Sequence, residues 1–194
     1  MEIHHFDDYP ISPWKNGGGV TREIMRTDDA DGNFIWRMSL ADVGQSGPFS
    51  TFDGYQRTIT LLDGAGFMLN FDDGTSKTLD TRHQPYDFDG GAPLQCDLID
   101  GLSRDFNLMV RHDAASVTWQ VRDLSQPLEL ASEASVTHLI FVLAGEVVVG
   151  NVSGKSQTLQ PWDSARVERP ERPRMVRFSE APATLFSCSV KMRS

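Results

Sequence analysis

The chain has 194 residues, 39% of them hydrophobic, enough for one large domain or two small ones. A net charge of −9 argues against nucleic acid or an anionic membrane surface as a direct partner, since such partners select basic chains. Met1–Pro10 is polar and carries Asp7 and Asp8, no apolar run reaches the roughly 18 residues of a membrane helix, and Cys96 and Cys188 are too few for a disulfide framework; a cytoplasmic chain with two buried thiols is expected.

Short β-branched and aromatic runs recur along the chain, split by turn signals such as Asp53-Gly54, Asp63-Gly64, Asp73-Gly74, Gly90-Gly91 and Ser153-Gly154. The pattern predicts strands at 20–27, 33–43, 47–52, 57–62, 66–71, 94–99, 105–112, 115–122, 136–143, 146–151, 156–160, 164–168, 174–178 and 184–192, with room for a short helix only near 127–134. An all-β sandwich or barrel follows. The halves also match each other at a shift of 80 or 81 residues. Leu61-Leu62-Asp63-Gly64 aligns with Val142-Leu143-Ala144-Gly145, Gly74–Leu79 with Gly154–Leu159, Leu94–Ile99 with Arg174–Ser179, and Phe106–Val110 with Phe186–Val190. Four segments reconciled by one single-residue gap indicate internal duplication of a double-stranded jelly roll, the build of the cupins. The expected division is 1–112 for an N-terminal barrel with the ligand pocket and 113–194 for a structural C-terminal barrel, with exchange of strands between them left open.

The densest local signal is Pro13-Trp14-Lys15-Asn16-Gly17-Gly18-Gly19, followed by the strand-like Val20–Thr27. Three glycines in a row fit backbone that turns with positive φ or approaches something closely. A phosphate loop places its lysine after the glycines and opens a helix; here Lys15 precedes them and a strand follows. Two readings stay open: a tight turn with Lys15 and Asn16 merely solvated, or a loop presenting them to a small polar ligand.

The histidines, His4, His5, His83, His112 and His138, form no His-x-His pair and give no local set of metal ligands; no metal or other cofactor is expected. His138 lies in an apolar run and reads as a satisfied core or edge histidine. The arginine-rich Arg166–Arg177, with Pro170 and Pro173, reads as a guarded edge strand. In Phe34–Val43 both faces are largely apolar, which puts Arg37 and Ser39 on a partly buried face, and Arg57 shares a face with Ile59 and Leu61. A buried guanidinium keeps its proton and needs an anion. That anion is either an internal carboxylate such as Glu23, Asp42 or Asp53, or a ligand carboxylate gripped by the planar fork. Lys15, Asn16, Thr21, Ser39 and Asn107 would orient such a ligand. No nucleophile elbow, Cys–His pair or carboxylate dyad is evident; Glu23 is the one candidate base, and a lone strand Glu is more often structural.

The Pro13–Gly19 run with Thr21 and Glu23 resembles the HutD/Ves family of bicupins. So do Trp36-Arg37-Met38-Ser39 with Ala41 and Val43, Gly47-Pro48-Phe49-Ser50 with Phe52, Gly54 and Arg57, Phe88-Asp89-Gly90, and Asp105–Met109. Two positions depart from the family pattern: Gln56, where an acidic residue often precedes the family arginine, and His112, where a second arginine is usual. The resemblance implies a cytoplasmic bicupin, two duplicated jelly-roll barrels, that binds a small carboxylate without catalysis and modulates histidine utilisation. Formate, N-formylglutamate and urocanate are the candidate ligands. Arg37, Arg57 and Lys15 would hold the anion, with Asn16, Thr21, Glu23, Ser39 and Asn107 around it and Trp14, Trp36 and Phe49 as apolar walls. A protein partner or a homodimer is compatible with this reading. The alternative is a metal-independent cupin enzyme acting on a formylated or imidazole-derived acid, with Glu23 as base.

Overall fold

A computed structural model describes residues 1–131, 133, 136–151, 156–168, 174–178 and 182–193. In chain order the strands begin with β1 (Glu2–His4), β2 (Ile11–Pro13), β3 (Gly19–Asp28), β4 (Phe34–Val43), β5 (Gly47–Pro48) and β6 (Tyr55–Asp63). Next come β7 (Phe67–Phe71), β8 (Ser76–Leu79), β9 (Tyr86–Asp89), β10 (Leu94–Leu98), β11 (Ser103–Arg111), β12 (Ala115–Leu124) and β13 (Leu128–Leu130). The last are β14 (Val136–Ala144), β15 (Val147–Asn151), β16 (Ser156–Leu159), β17 (Ser164–Glu168), β18 (Arg174–Phe178) and β19 (Ala183–Met192). The only helical turn among the described residues is a 3₁₀ turn at Phe6–Asp8, so no described helix is long enough to cross a membrane.

The chain divides into an N-terminal unit, Pro10–Ala115, and a C-terminal unit made of Met1–Tyr9 with Ser116–Ser194. The N-terminal unit pairs a six-stranded sheet, ordered β2-β3-β4-β11-β6-β9, with a four-stranded sheet, β5-β10-β7-β8. The C-terminal unit has sheets ordered β1-β17-β14-β19-β12 and β13-β18-β15-β16. Overlaying the orders shows the duplication. The run β4-β11-β6-β9 matches β12-β19-β14-β17, and β5-β10-β7-β8 matches β13-β18-β15-β16. The chain is an all-β bicupin, as its repeats indicate. Additional strands extend opposite edges: β3 and β2 flank β4 in the first copy, and β1 flanks β17 in the second, with Glu2 opposite Arg166 and His4 opposite Ser164.

Each core follows from strand alternation. Ile59, Leu61, Phe67, Leu69, Leu94 and Cys96 fill the space between the sheets of the N-terminal unit. Ile140, Val142, Val147, Val149, Leu159, Val176 and Leu185 fill that of the C-terminal unit. Both cysteines are free and buried.

Several expectations are corrected. Residues 1–9 group with the C-terminal half, because β1 pairs along β17 and the buried Asp163 accepts the Phe6 N–H and a His5 ring hydrogen bond, both at 2.9 Å. Of 47–52 only Gly47–Pro48 pairs as strand, while Ser76–Leu79 and Tyr86–Asp89 are additional strands. Residues 128–130 form a strand, not a helix, and 132, 134 and 135 lie outside the described residues. The arginine-rich segment is not an edge: β17 lies between β1 and β14, and β18 between β13 and β15, with 169–173 outside the described residues. His138 is satisfied: Nε2 donates to the Ala131 carbonyl at 2.9 Å and Nδ1 lies 3.0 Å from Ser189 Oγ.

Candidate functional site: a cationic cavity in the N-terminal unit

Cross-strand register decides which side chains meet. On the inner face of the six-stranded sheet, Thr21 lies opposite Ala41, Ala41 opposite Asp105, and Asp105 opposite Leu61. One row along, Ser39 lies opposite Asn107, and in the next Arg37 lies opposite Met109, itself opposite Arg57. Alternation therefore puts Thr21, Arg37, Ser39, Ala41, Asp105, Asn107, Met109 and Arg57 on one face. These side chains line a cavity of about 610 Å³, closed further by Pro13, Trp14, Lys15, Asn16, Pro48, Phe49, Ser50 and Phe52.

The glycine run forms the hairpin between β2 and β3. The Trp14 N–H donates to Gly19 O at 2.9 Å, and Gly17 closes the turn at φ +73°. Asn16 Oδ1 accepts the Gly18 N–H at 3.0 Å, an Asx-type turn. At Gly19 the need is close approach: an added Cβ would lie 2.4 Å from the Asp42 carbonyl and 3.1 Å from the Trp14 ring. The Trp14 indole N–H donates to Thr21 Oγ1 at 2.8 Å, fixing the ring. The segment is thus both a tight turn and a cavity wall, with Lys15 and Asn16 lining the hollow.

Arg57 is 5% exposed. Its guanidinium carbon lies 4.9 Å from the Phe88 ring centroid, 5.5 Å from Phe49 and 5.7 Å from Phe52, so three aromatic rings surround one cation. Nη2 donates to Asn107 Oδ1 at 2.9 Å, Nη1 reaches the Ser50 carbonyl at 3.4 Å, and Nε has no hydrogen-bond partner among the described residues. Burial pulls this guanidinium down to about 10, against the opposing field of Asp105. Asn107 Nδ2 donates to Asp105 Oδ1, so the amide joins cation and carboxylate without direct contact between them. Asp105 is fully buried, its Oδ2 has no hydrogen-bond partner among the described residues, and burial pushes its carboxyl up to about 7.

The cavity collects nine of the eleven residues expected from sequence: Trp14, Lys15, Asn16, Thr21, Arg37, Ser39, Phe49, Arg57 and Asn107. Trp36 and Glu23 do not line it. Trp36 is 1% exposed and, one residue from Arg37, turns to the opposite face of β4. Glu23 holds Arg37 instead, with Oε2 at 3.3 Å from Arg37 Nε and 3.7 Å from Arg26 Nη1. The Arg37 contact is near enough for an ion pair but is not aligned as a hydrogen bond. Asp105 was missed as a site residue although it stands two places from Asn107, the spacing that returns to the same strand face. Phe88, also missed, carries its signal in alternation with Tyr86 along β9.

The described residues of the C-terminal unit lack this constellation. At the duplication shift His138 stands for Arg57, Leu185 for Asp105 and Ser187 for Asn107, and Leu185 is part of that unit's apolar core. Among the described residues of the whole chain, no three His, Cys, Asp or Glu side chains are placed to hold a metal ion.

The HutD family profile matches residues 6–184. The chain belongs to the HutD family. It is 40% identical over 173 residues to an uncharacterised 21.2 kDa protein in the hutC 3′ region of Pseudomonas putida, with 87% of each chain covered. It is 35% identical over 152 residues to protein Ves of Citrobacter koseri, covering 78% of this chain and 77% of that one. Among solved structures, HutD from Pseudomonas fluorescens SBW25, determined in a formate condition, superposes with a TM-score of 0.86 at 33% identity, covering 100% of this chain and 99% of that one. A cupin 2 conserved barrel domain protein from Leptotrichia buccalis superposes at 0.65 with 12% identity, covering 99% of this chain and 96% of that one, a likeness of fold alone.

Proposed function

We propose that this HutD-family chain is a non-enzymatic, cytoplasmic binder of a small carboxylate that modulates histidine utilisation. Family membership and the relative in the hutC 3′ region support the link to histidine utilisation. The observation that carries the ligand class is Arg57: a buried cation at the cavity wall, boxed by three rings, with no carboxylate ion pair within 4 Å among the described residues. Its planar fork suits a carboxylate. Arg37 is partly neutralised by Glu23 and acts as a secondary contributor. The same ion pairing speaks against Glu23 as a base and hence against the enzyme reading.

Size narrows the ligand. At about 30 Å³ per water, 610 Å³ holds roughly twenty water molecules. Formate alone would leave most of that space unfilled; N-formylglutamate or urocanate uses more of it. A formyl or carboxylate group would sit on Arg57, with the rest of the molecule against Trp14 and Phe49 and its polar atoms toward Ser39, Thr21 and Lys15.

A thermal scan with formate, N-formylglutamate, urocanate and glutamate tests the proposal. At a hundredfold excess over Kd the gain is about 2.7 kcal/mol, or roughly 5–10 °C for a chain of this size. No shift with any of the four at millimolar concentration refutes it. Formate released on incubation with N-formylglutamate would favour the enzyme instead.

A further inference from the structure

We propose that the cavity takes up its anion together with a proton, and that Asp105 is the residue that receives it. This rests on the carboxylate-binding reading above and adds to it a stoichiometry and a role for a residue that the reading leaves unused. A carboxyl group with no exposed surface lines the same hollow as Arg57, and one of its oxygens is held through Asn107 while Oδ2 has no hydrogen-bond partner among the described residues. A carboxylate placed on Arg57 leaves one buried cation facing two carboxylates, one from the ligand and one from the chain. Two like charges sharing such a site do not both stay ionised; one takes a proton. A ligand carboxylate in contact with the guanidinium keeps its charge, and Asp105, one amide further away, loses its own. Oδ2 is the atom free to carry the hydrogen.

The charged and titratable groups around Asp105 are consistent with this assignment. Arg57 faces it from β6 and Arg37 lies on the same face of β4, where Glu23 already offsets it. Asp42, next along β4, adds negative field and is itself held by Arg104 and Arg22. Cys96, from the opposing sheet, is a thiol pushed up to about 12 by burial and stays neutral. Lys15 shares the cavity from the β2–β3 hairpin. Of these, Asp105 is the carboxyl that burial holds near the neutral range, so it changes charge most readily when an anion arrives. By linkage, whatever raises its affinity for a proton makes the proton raise affinity for the anion by the same factor.

Calorimetric titration of the full chain with N-formyl-L-glutamate and with formate, in phosphate and in Tris, counts the protons directly. Both ligands lose their own protons well below pH 6. The wild type is expected to take up most of one proton per anion at pH 8 and almost none at pH 6. Its affinity is expected to fall about fivefold from pH 7 to pH 8 and to approach tenfold per unit beyond. Asp105→Asn, which keeps the acceptor for Asn107 without the charge, is expected to bind with no proton uptake and a flat pH profile. Binding by the wild type at pH 8 without proton uptake, or equal uptake in Asp105→Asn, overturns the proposal and leaves the carboxylate reading intact. Absence of binding even at pH 6 overturns both. Should the variant fail to fold, the wild-type proton count alone decides.

Discussion

Replacing Arg57 with Met separates binding from folding more sharply than any other change. The substitution removes the charge but keeps an unbranched apolar stem among Phe49, Phe52 and Phe88. Three ring contacts at about 0.5–1 kcal/mol each are lost. The charge-assisted hydrogen bond to Asn107 Oδ1 is also lost, at about 1.5–3 kcal/mol. Against these stands relief from burying a cation that is 5% exposed, which amounts to several kcal/mol. The two sides are of similar size, so stability at pH 6.5 should change by no more than about 2 kcal/mol. Since Asp105 is without its counter-charge in the variant, it stays protonated to higher pH and adds no further penalty at pH 6.5. Urea denaturation, paired with thermal scans in millimolar N-formylglutamate, measures both quantities. The expected result is a folded variant whose midpoint no longer responds to the acid. A loss above about 4 kcal/mol would make Arg57 a structural residue, and an undiminished ligand shift would remove it from the site; either refutes the reasoning.

Burial of Asp105 adds a pH dependence to stability. Its folded carboxyl sits near 7, above its unfolded value near 3.8, so between those pH values the folded state holds more protons and stability falls as pH rises. Asp105→Asn should therefore be more stable than wild type at pH 8 by a few kcal/mol, with the difference vanishing as pH falls toward 4, as read by urea midpoints across pH. Gly19→Ala drives a Cβ to 2.4 Å from the Asp42 carbonyl and should cost about 2–4 kcal/mol and weaken binding by displacing Trp14, seen in denaturation and titration together. Trp14→Phe removes the indole hydrogen bond to Thr21 and should cost about 1 kcal/mol while leaving a weakened ligand shift. Asp163→Ala strips partners from the backbone N–H groups of Phe6 and Gln160 and should lower stability by about 2–4 kcal/mol without changing ligand affinity at the other unit.

The fold was largely legible because alternation and turn spacing are local signals. The duplication could be read from segments such as Leu61–Gly64 and Val142–Gly145, which become the ends of β6 and β14 and the turns beyond them. What sequence could not supply was strand pairing. Nothing local to Glu2–His4 says that it will run along Ser164–Arg166, and Leu128–Leu130 is too short to distinguish strand from helix. The site followed the same division. Arg57 stood out as a buried cation needing an anion, and Trp14 to Thr21 as a loop with a ligand's chemistry beside it. The spacing of Asp105 from Asn107 gives their shared strand face, but only the cross-strand register, which brings that face beside Arg57, shows an amide between the charges. Trp36 was assigned to the wall although its own alternation with Arg37 places it behind the sheet.

A crystal of the wild-type protein soaked in N-formyl-L-glutamate at a concentration that shifts its melting point addresses the central claim most directly. The account predicts density for a carboxylate or formyl oxygen within about 3 Å of the Arg57 guanidinium nitrogens, inside the hollow that Trp14 and Phe49 help to line. An empty hollow under those conditions, or the acid bound elsewhere on the chain, would contradict it.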